Sequence, residues 1–462
     1  MNTNEEEKSQ TNADKLKQEG NEFFKAGKWD LALSRYSACI DLDSSNGVYY
    51  SNRAFAFIKL EQYGVAIRDA EQSIELGYAK AHYRRGTALL GLGRFEDALK
   101  DLKIIIKTFP KDKDARRKHK ICKEEVRRRQ FFLAIQTEKS KPLADSFDID
   151  SIVLPSTYDG VCLPEQLTLE SVKEMMAAFK EQKTIHKRFA YQIVLDTIKL
   201  LRTLPSLVDI EIPKEKHFTV CGDIHGQYYD FLNIFEINGF PSEDNPYLFN
   251  GDFVDRGSFS AECILSLFAL KLLYPNSIHL TRGNHETITM NGIYGFKGEI
   301  SQKYDERLFR IFTEAFQFLP LAVCLGGKVL VLHGGLFSTD GVTLKDIRNI
   351  DRNRQPPDTG LMCELLWSDP TPLPGRHPSK RGVGVGFGPD VTERFLSENN
   401  LELLVRSHEV KDEGYHVECG GKLITVFSAP NYCDAMKNKG AFIRFDSNYK
   451  PNCSTFVHVE HP

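Results

Sequence analysis

A small residue, an aromatic nine positions later and an alanine three after that recur three times near the start of the chain. The sets are Gly20–Trp29–Ala32, Ala54–Tyr63–Ala66 and Gly86–Phe95–Ala98. The small residues are spaced by 34 and then 32 positions, and Pro110 ends the third unit. A period of that length is one supersecondary unit, here a pair of helices. The small residues let the two helices approach, and the aromatic fills the gap between them. One such unit cannot bury its apolar face alone, so three in tandem commit residues 13–112 to a stack.

The pattern resembles the tetratricopeptide repeat. Residues 1–12 are polar and acidic and are expected to be a disordered N-terminus. Residues 113–139 are highly charged and compatible with a helix that caps the stack. Net charge is −3, which opposes a general attraction to nucleic acid or anionic lipid. Residues 140–168 lose helical period and gain Pro, Ser, Asp and Gly, as an interdomain linker would. Helical periodicity returns over 169–204. From about 216 short apolar strands alternate with helices, so residues 169–462 read as an α/β domain and the whole as multidomain. No apolar run approaches the ~20 residues of a membrane helix. The ten scattered cysteines and the lack of a secretory leader fit reduced thiols in the cytoplasm or nucleus.

Within the second domain, five candidate strands end in Asp, Asn or His, usually beside glycine. His217–Val220 leads into Cys221-Gly222-Asp223-Ile224-His225-Gly226, and Tyr247–Asn250 into Gly251-Asp252-Phe253-Val254-Asp255-Arg256-Gly257. Ser277–Leu280 leads to Arg282-Gly283-Asn284-His285-Glu286, Val329–Leu332 into His333-Gly334-Gly335, and Leu401–Val405 into Arg406-Ser407-His408-Glu409. Ligand sites of α/β folds gather at strand ends, where glycine admits a close backbone.

Asp and Asn oxygens with His nitrogens suit Mn, Fe or Zn. One ion could use Asp223 and His225, another Asn284, His333 and His408, with Asp252 bridging. Two such ions can clamp a phosphoryl group for in-line attack. Any one motif alone could be a buried histidine or a capping aspartate; the series of five is what points to a metal centre. No P-loop is present, and Cys221 lacks the arginine a cysteine-based phosphatase needs. A scaffold with an inactive domain would require a lost ligand, and none is missing.

The series G-D-I-H-G, G-D-F-V-D-R-G, R-G-N-H-E, H-G-G and R-S-H-E resembles that of metallophosphoesterases. With S-A-P-N-Y-C and R-N-R-Q-P-P-D it is similar to the serine/threonine phosphatases of the phosphoprotein phosphatase family. The resemblance implies a central β-sandwich flanked by helices and hydrolysis of phosphoserine and phosphothreonine by a hydroxide held on two divalent ions. It implies that Asp223, His225, Asp252, Asn284, His333 and His408 are the metal ligands. His285 would be the general acid and Asp255 the carboxylate that orients it. Arg256 and Arg381 would hold phosphate oxygens, and Tyr432 would line the substrate groove.

Lys17 and Asn21, Asn52, and Lys80 and Arg84 fall on the first helices of the three repeats, the first and last pairs four residues apart and so on one face. Three cations and two amides suit a peptide's terminal carboxylate. They match the clamp positions of repeats that bind the acidic C-terminal tail of heat-shock protein 90. The alternative is a solvated polar face, which would leave no chaperone partner. Family relatives also imply inhibition by the repeats, relieved by peptide or fatty acid, with Glu61 as the acidic contact to the phosphate-binding arginines. Such relatives usually continue past His461-Pro462 into a C-terminal helix, so higher basal activity is expected here. A monomer is expected.

Overall fold

The structure is a computed structural model and describes residues 3–135 and 142–462. The chain divides into two compact units, Met1–Ser140 with Pro378–Val383, and Lys141–His377 with Gly384–Pro462.

The first unit is built of helices α1 (Thr3–Lys25), α2 (Trp29–Leu42), α3 (Gly47–Lys59), α4 (Tyr63–Glu75), α5 (Ala81–Gly91), α6 (Phe95–Thr108) and α7 (Lys113–Ile135). Successive helices pack as antiparallel pairs. Gly20 shows why the small position matters: a Cβ there would lie 2.7 Å from the Tyr36 ring. Ala32, Ala54, Ala66, Ala88 and Ala98 are fully buried between helices. An ion pair also recurs in every repeat, always between residues sixteen apart. Arg53 grips Asp69 at 2.7 and 2.8 Å, and Arg85 grips Asp101 at 2.8 and 2.9 Å. In the first repeat the polarity is reversed, with Glu19 facing Arg35 at 3.0 Å.

Two boundaries differ from expectation. Helix α1 starts at Thr3 rather than after a disordered 1–12. Residues 142–168 are not a free linker. Leu143 and Ala144 donate their N–H groups to Glu314, Phe147 stacks on Tyr191 with centroids 4.4 Å apart, and Arg188 binds the Ile149 and Ile152 carbonyls. This stretch therefore belongs to the second unit. The end of the expected capping helix, 136–139, lies outside the described residues, as do 140 and 141 at the start of the expected linker.

Among the described residues the second unit holds fourteen strands. They are β1 Leu207–Ile210, β2 Phe218–Cys221, β3 Tyr247–Phe249, β4 Ile278–Leu280, β5 Ala322–Leu325, β6 Val329–Leu332, β7 Asp369–Pro370, β8 Arg376–Pro378, β9 Val385–Phe387, β10 Leu403–Arg406, β11 Tyr415–Glu418, β12 Leu423–Val426, β13 Gly440–Phe445 and β14 Pro451–Phe456. One sheet runs β1-β5-β6-β10-β12-β11, a second β14-β13-β2-β3-β4, and a small third β7-β9-β8. The two large sheets face each other across one core of Phe218, Val220, Leu248, Val331, Val405 and Ile443. Helices cover their outer faces, with Tyr191, Phe231, Phe268 and Phe312 over the second sheet and Leu365, Val391 and Phe395 over the first. The result is the expected central sandwich. Strands β2, β3 and β4 are mutually parallel, as are β6 and β10, so the expected series of strand ends reaches one edge. The last strand starts two residues later than expected, at Leu403, and runs to Arg406.

Candidate dinuclear metal centre

Asp223 and His225 follow β2, Asp252 follows β3, Asn284 and His285 follow β4, His333 follows β6 and His408 follows β10. All are buried. The Asp252 carboxylate sits between two imidazoles, its Oδ2 lying 3.6 Å from His225 Nε2 and 3.3 Å from His333 Nε2. Asp223 Oδ2 lies 3.7 Å from His225 Nε2, and Asn284 Oδ1 lies 2.9 Å from His333 Nε2. Two groups of potential ligands share Asp252: His225–Asp252–His285 and Asp252–His333–His408.

The outer ring nitrogens are committed elsewhere. His225 Nδ1 meets the Val254 carbonyl at 3.0 Å and His333 Nδ1 the Asn250 carbonyl at 2.8 Å. That fixes the tautomer and turns both Nε2 atoms to the cluster, as metal-ligating histidines require. Burial holds both imidazoles below their usual pKa, His225 strongly, and so favours the neutral ligating form. The mixed oxygen and nitrogen donor set, free of thiolates, fits two divalent cations sharing Asp252.

His285 Nε2 also faces the cluster, but its Nδ1 is held by Asp255 Oδ2 at 2.8 Å. Asp255 Oδ2 takes a second bond from Asn291 Nδ2 at 3.0 Å, and Oδ1 takes one from the Phe296 N–H at 3.0 Å. Burial pushes the Asp255 carboxyl up to about 7, while these N–H donors and the Arg256 charge oppose the rise. Burial likewise pushes Asp223 up to about 7.

The backbone is strained where the ligands sit. His225, Asp252, Asp255, Arg256 and His408 have φ of 42°, 50°, 72°, 70° and 71°. Such conformations cost non-glycine residues about 1–3 kcal/mol each and persist where surroundings over-determine them. Glu286 is one such surrounding. Its fully buried carboxylate accepts N–H groups from Asp252, Phe253 and Gly283, each at 2.8 Å. Gly283 is required by proximity, since a Cβ there would lie 2.2 Å from Asp252 Oδ1.

The other expected site residues are spread. Tyr432 is buried beside the cluster, its ring 5.1 Å from that of His225. Arg256 stacks on the Tyr294 ring with its guanidinium carbon 3.7 Å from the centroid. Arg381 lies in Pro378–Val383, the segment that goes with the first unit. In the first unit, Lys17 and Asn21 sit on α1, Asn52 on α3, Lys80 at the N-terminal cap of α5 and Arg84 on α5. Lys17 pairs with Asp14 at 2.6 Å, and Asn21 accepts the Tyr36 hydroxyl at 2.8 Å. The Arg84 guanidinium lies flat on Phe55, 3.7 Å from the centroid. Its buried Nε has no hydrogen-bond partner among the described residues, and burial lowers its pKa. Glu61 occupies the turn between α3 and α4 with φ of 58°. Sequence reasoning assigned no role to Glu286, Asn291 or Tyr294. Glu286 was visible as the last residue of R-G-N-H-E; the other two sit outside any motif singled out.

Residues 216–412 match the family model described as calcineurin-like phosphoesterase, and residues 119–209 that described as the PPP5 TPR repeat region. The chain is 51% identical to serine/threonine-protein phosphatase 5 of Homo sapiens over 455 residues, 97% of this chain and 91% of that protein. It is 53% identical to serine/threonine-protein phosphatase 5 of Arabidopsis thaliana over 522 residues, 100% of this chain and 97% of that one. A solved protein serine/threonine phosphatase from Saccharomyces cerevisiae, with similarity to human phosphatase PP5, superimposes with a TM-score of 0.62 at 44% identity. It covers 64% of this chain and 98% of its own.

Proposed function

The chain belongs to the serine/threonine-protein phosphatase 5 family, protein serine/threonine phosphatases with a dinuclear divalent metal site, and from that premise we propose how its residues divide the work. Asp223 and His225 would hold one ion, Asn284, His333 and His408 the other, and Asp252 both. When bound, the ions supply Lewis acidity to the phosphoryl oxygens and a water made nucleophilic at neutral pH. Mn, Fe and Zn all accept this donor set.

His285 gives its Nε2 proton to the departing serine or threonine oxygen, while Asp255 fixes the ring and stabilises its charged form. Arg256 and Arg381 hold the phosphate through bidentate contacts, and Tyr432 bounds the groove beside His225. The observation that carries this reading is the pairing at one edge: a carboxylate between two imidazoles, and a third imidazole backed by a buried carboxylate. Phosphate release from a phosphoserine peptide with added Mn²⁺ tests it. His285→Asn should lower release by roughly 100-fold or more, and undiminished turnover would refute the assignment.

The repeats are a peptide receptor in this reading. Lys17, Asn21, Asn52, Lys80 and Arg84 clamp a terminal carboxylate such as that of the heat-shock protein 90 tail. Arg84, an inward cation with an unsatisfied Nε, supports the clamp. Arg84→Ala should weaken an acidic C-terminal peptide at least tenfold in calorimetry and leave catalysis intact; unchanged affinity would remove the clamp. Glu61 restrains the phosphate-binding arginines, and peptide or fatty acid relieves that restraint. The enzyme works as a monomer in cytoplasm and nucleus. An adaptor whose main work is chaperone binding is the second reading, and the same two substitutions separate them.

A further inference from the structure

We propose that Asn291 is a positioning residue for the proton donor, tying the His285 main chain and the Asp255 carboxylate into one rigid unit. The inference rests on the reading of His285 as general acid.

Asn291 is 1% exposed and sits on the short helix Ile288–Tyr294. Its Nδ2 donates to Asp255 Oδ2 at 3.0 Å and to the His285 carbonyl at 2.7 Å. Asp255 Oδ2 is the same oxygen that meets His285 Nδ1 at 2.8 Å. A closed ring results: imidazole to carboxylate, carboxylate to amide, amide back to the histidine main chain. The orientation of the amide is not in question. Both partners are acceptors, a carbonyl and a carboxylate that takes N–H groups on each oxygen, so nitrogen faces the pair.

Each link removes a freedom the proton transfer cannot tolerate. Phe296 N–H and Asn291 Nδ2 fix the two carboxylate oxygens and so the plane of Asp255. The bond to the His285 carbonyl fixes the main chain from which the imidazole projects. Asn291 is itself anchored, its N–H donating to the Thr287 carbonyl at 3.1 Å, while Thr287 Oγ1 donates to the Asn284 carbonyl at 3.0 Å. A metal ligand, the acid and its brace thus share one turn. Packing alone does not explain the choice of residue. Asn291 Oδ1 is buried with no hydrogen-bond partner among the described residues, a cost that leucine would not incur.

The test uses the full chain with saturating Mn²⁺ and two substrates. A phosphoserine peptide releases an alkoxide that needs a proton; p-nitrophenyl phosphate releases a phenolate that does not. Asn291→Ala should lower kcat on the peptide roughly 10- to 100-fold, part of what a general acid supplies, and on the aryl ester less than about threefold. In a His285→Asn background it should add less than about threefold on either substrate, because groups acting as a unit are not additive. Asn291→Asp keeps the volume and sets oxygen against both acceptors, so it should show at least the same peptide-selective loss; it carries the comparison if the alanine variant does not fold. Equal losses on both substrates, or a fully additive double variant, would overturn the proposal. If His285→Asn itself fails to discriminate the substrates, the general-acid reading falls and this inference with it. If His285→Asn discriminates and the Asn291 variants do not, only this inference falls.

Discussion

Replacing Asp255 by Asn leaves shape unchanged and tests what the carboxylate does. Three N–H groups point at it, Phe296 at Oδ1 and His285 and Asn291 at Oδ2. An amide has one acceptor. If its oxygen keeps the Oδ2 place, it still serves His285 and Asn291, and only the Phe296 N–H faces an NH₂. That forfeits one neutral bond, about 1 kcal/mol. The reverse orientation would strand two donors and force His285 into its other tautomer, so the first prevails. His285 then leans on a neutral acceptor. A bond to a charged group is worth about 1.5–3 kcal/mol and a neutral one about 0.5–1.5, so the transition state loses about 1.4 kcal/mol, or roughly tenfold in kcat. Stability should change little, because removing a buried charge offsets the lost bond. Asp255→Ala strands all three donors, and should cost about 3 kcal/mol of stability and roughly 100-fold in kcat. Steady-state hydrolysis of a phosphoserine peptide, with melting curves of each variant, measures both. Turnover of the asparagine variant within twofold of the parent, or an alanine variant no worse than it, would refute the reasoning.

Asp252 is shared by both groups of ligands, so Asp252→Asn should cost the chain both ions, whereas His408→Ala should cost it one; bound metal counted by plasma emission after desalting distinguishes the two. Arg53→Ala should destabilise the first unit by about 2–3 kcal/mol, since it strands a mostly buried carboxylate that is still partly solvated. The double swap Arg53→Glu with Asp69→Arg should recover most of that in a urea melt, because the first repeat already uses this polarity. Lys271 is 1% exposed, bonded through Nζ to the Pro275 carbonyl at 2.6 Å, and burial lowers its pKa from 10.5 to about 8. A depressed folded value means stability is full above 10.5 and lost as pH falls through about 8. At pH 7 the penalty is about 3 kcal/mol. Lys271→Met should therefore stabilise by about 2 kcal/mol at pH 7, after the lost hydrogen bond, and the gain should vanish near pH 10.5; a gain independent of pH would contradict it.

The residues at the strand ends were legible because a metal centre needs particular side chains at fixed offsets from a strand, and both survive in a linear reading. Asp223 and His225 are such a case. What braces them was not legible. Glu286 serves three N–H groups on two loops, Asn291 closes a ring with a residue thirty-six positions earlier, and Tyr294 lies under Arg256. Each partnership exists only once separate strand ends converge. The same limit hid the allegiance of residues 142–168. Their Pro, Ser and Gly content describes an irregular backbone, but not the Glu314 and Arg188 side chains that satisfy it. The start of helix α1 was missed from the other direction, since its first turns carry no apolar period to announce them.

The reversed ion pair of the first repeat has a consequence for assembly. Three similar helix pairs offer many wrong partnerships while the chain folds, and shape alone separates them poorly. Were α1 to take the place of α3 against α4, Glu19 would meet Asp69; were α3 to take the place of α1 against α2, Arg53 would meet Arg35. Each mismatch puts like charges where the correct neighbour supplies an opposite one. Polarity thus works as a key cut differently for the first pair, rejecting its exchange with the second within one chain or between two copies of it.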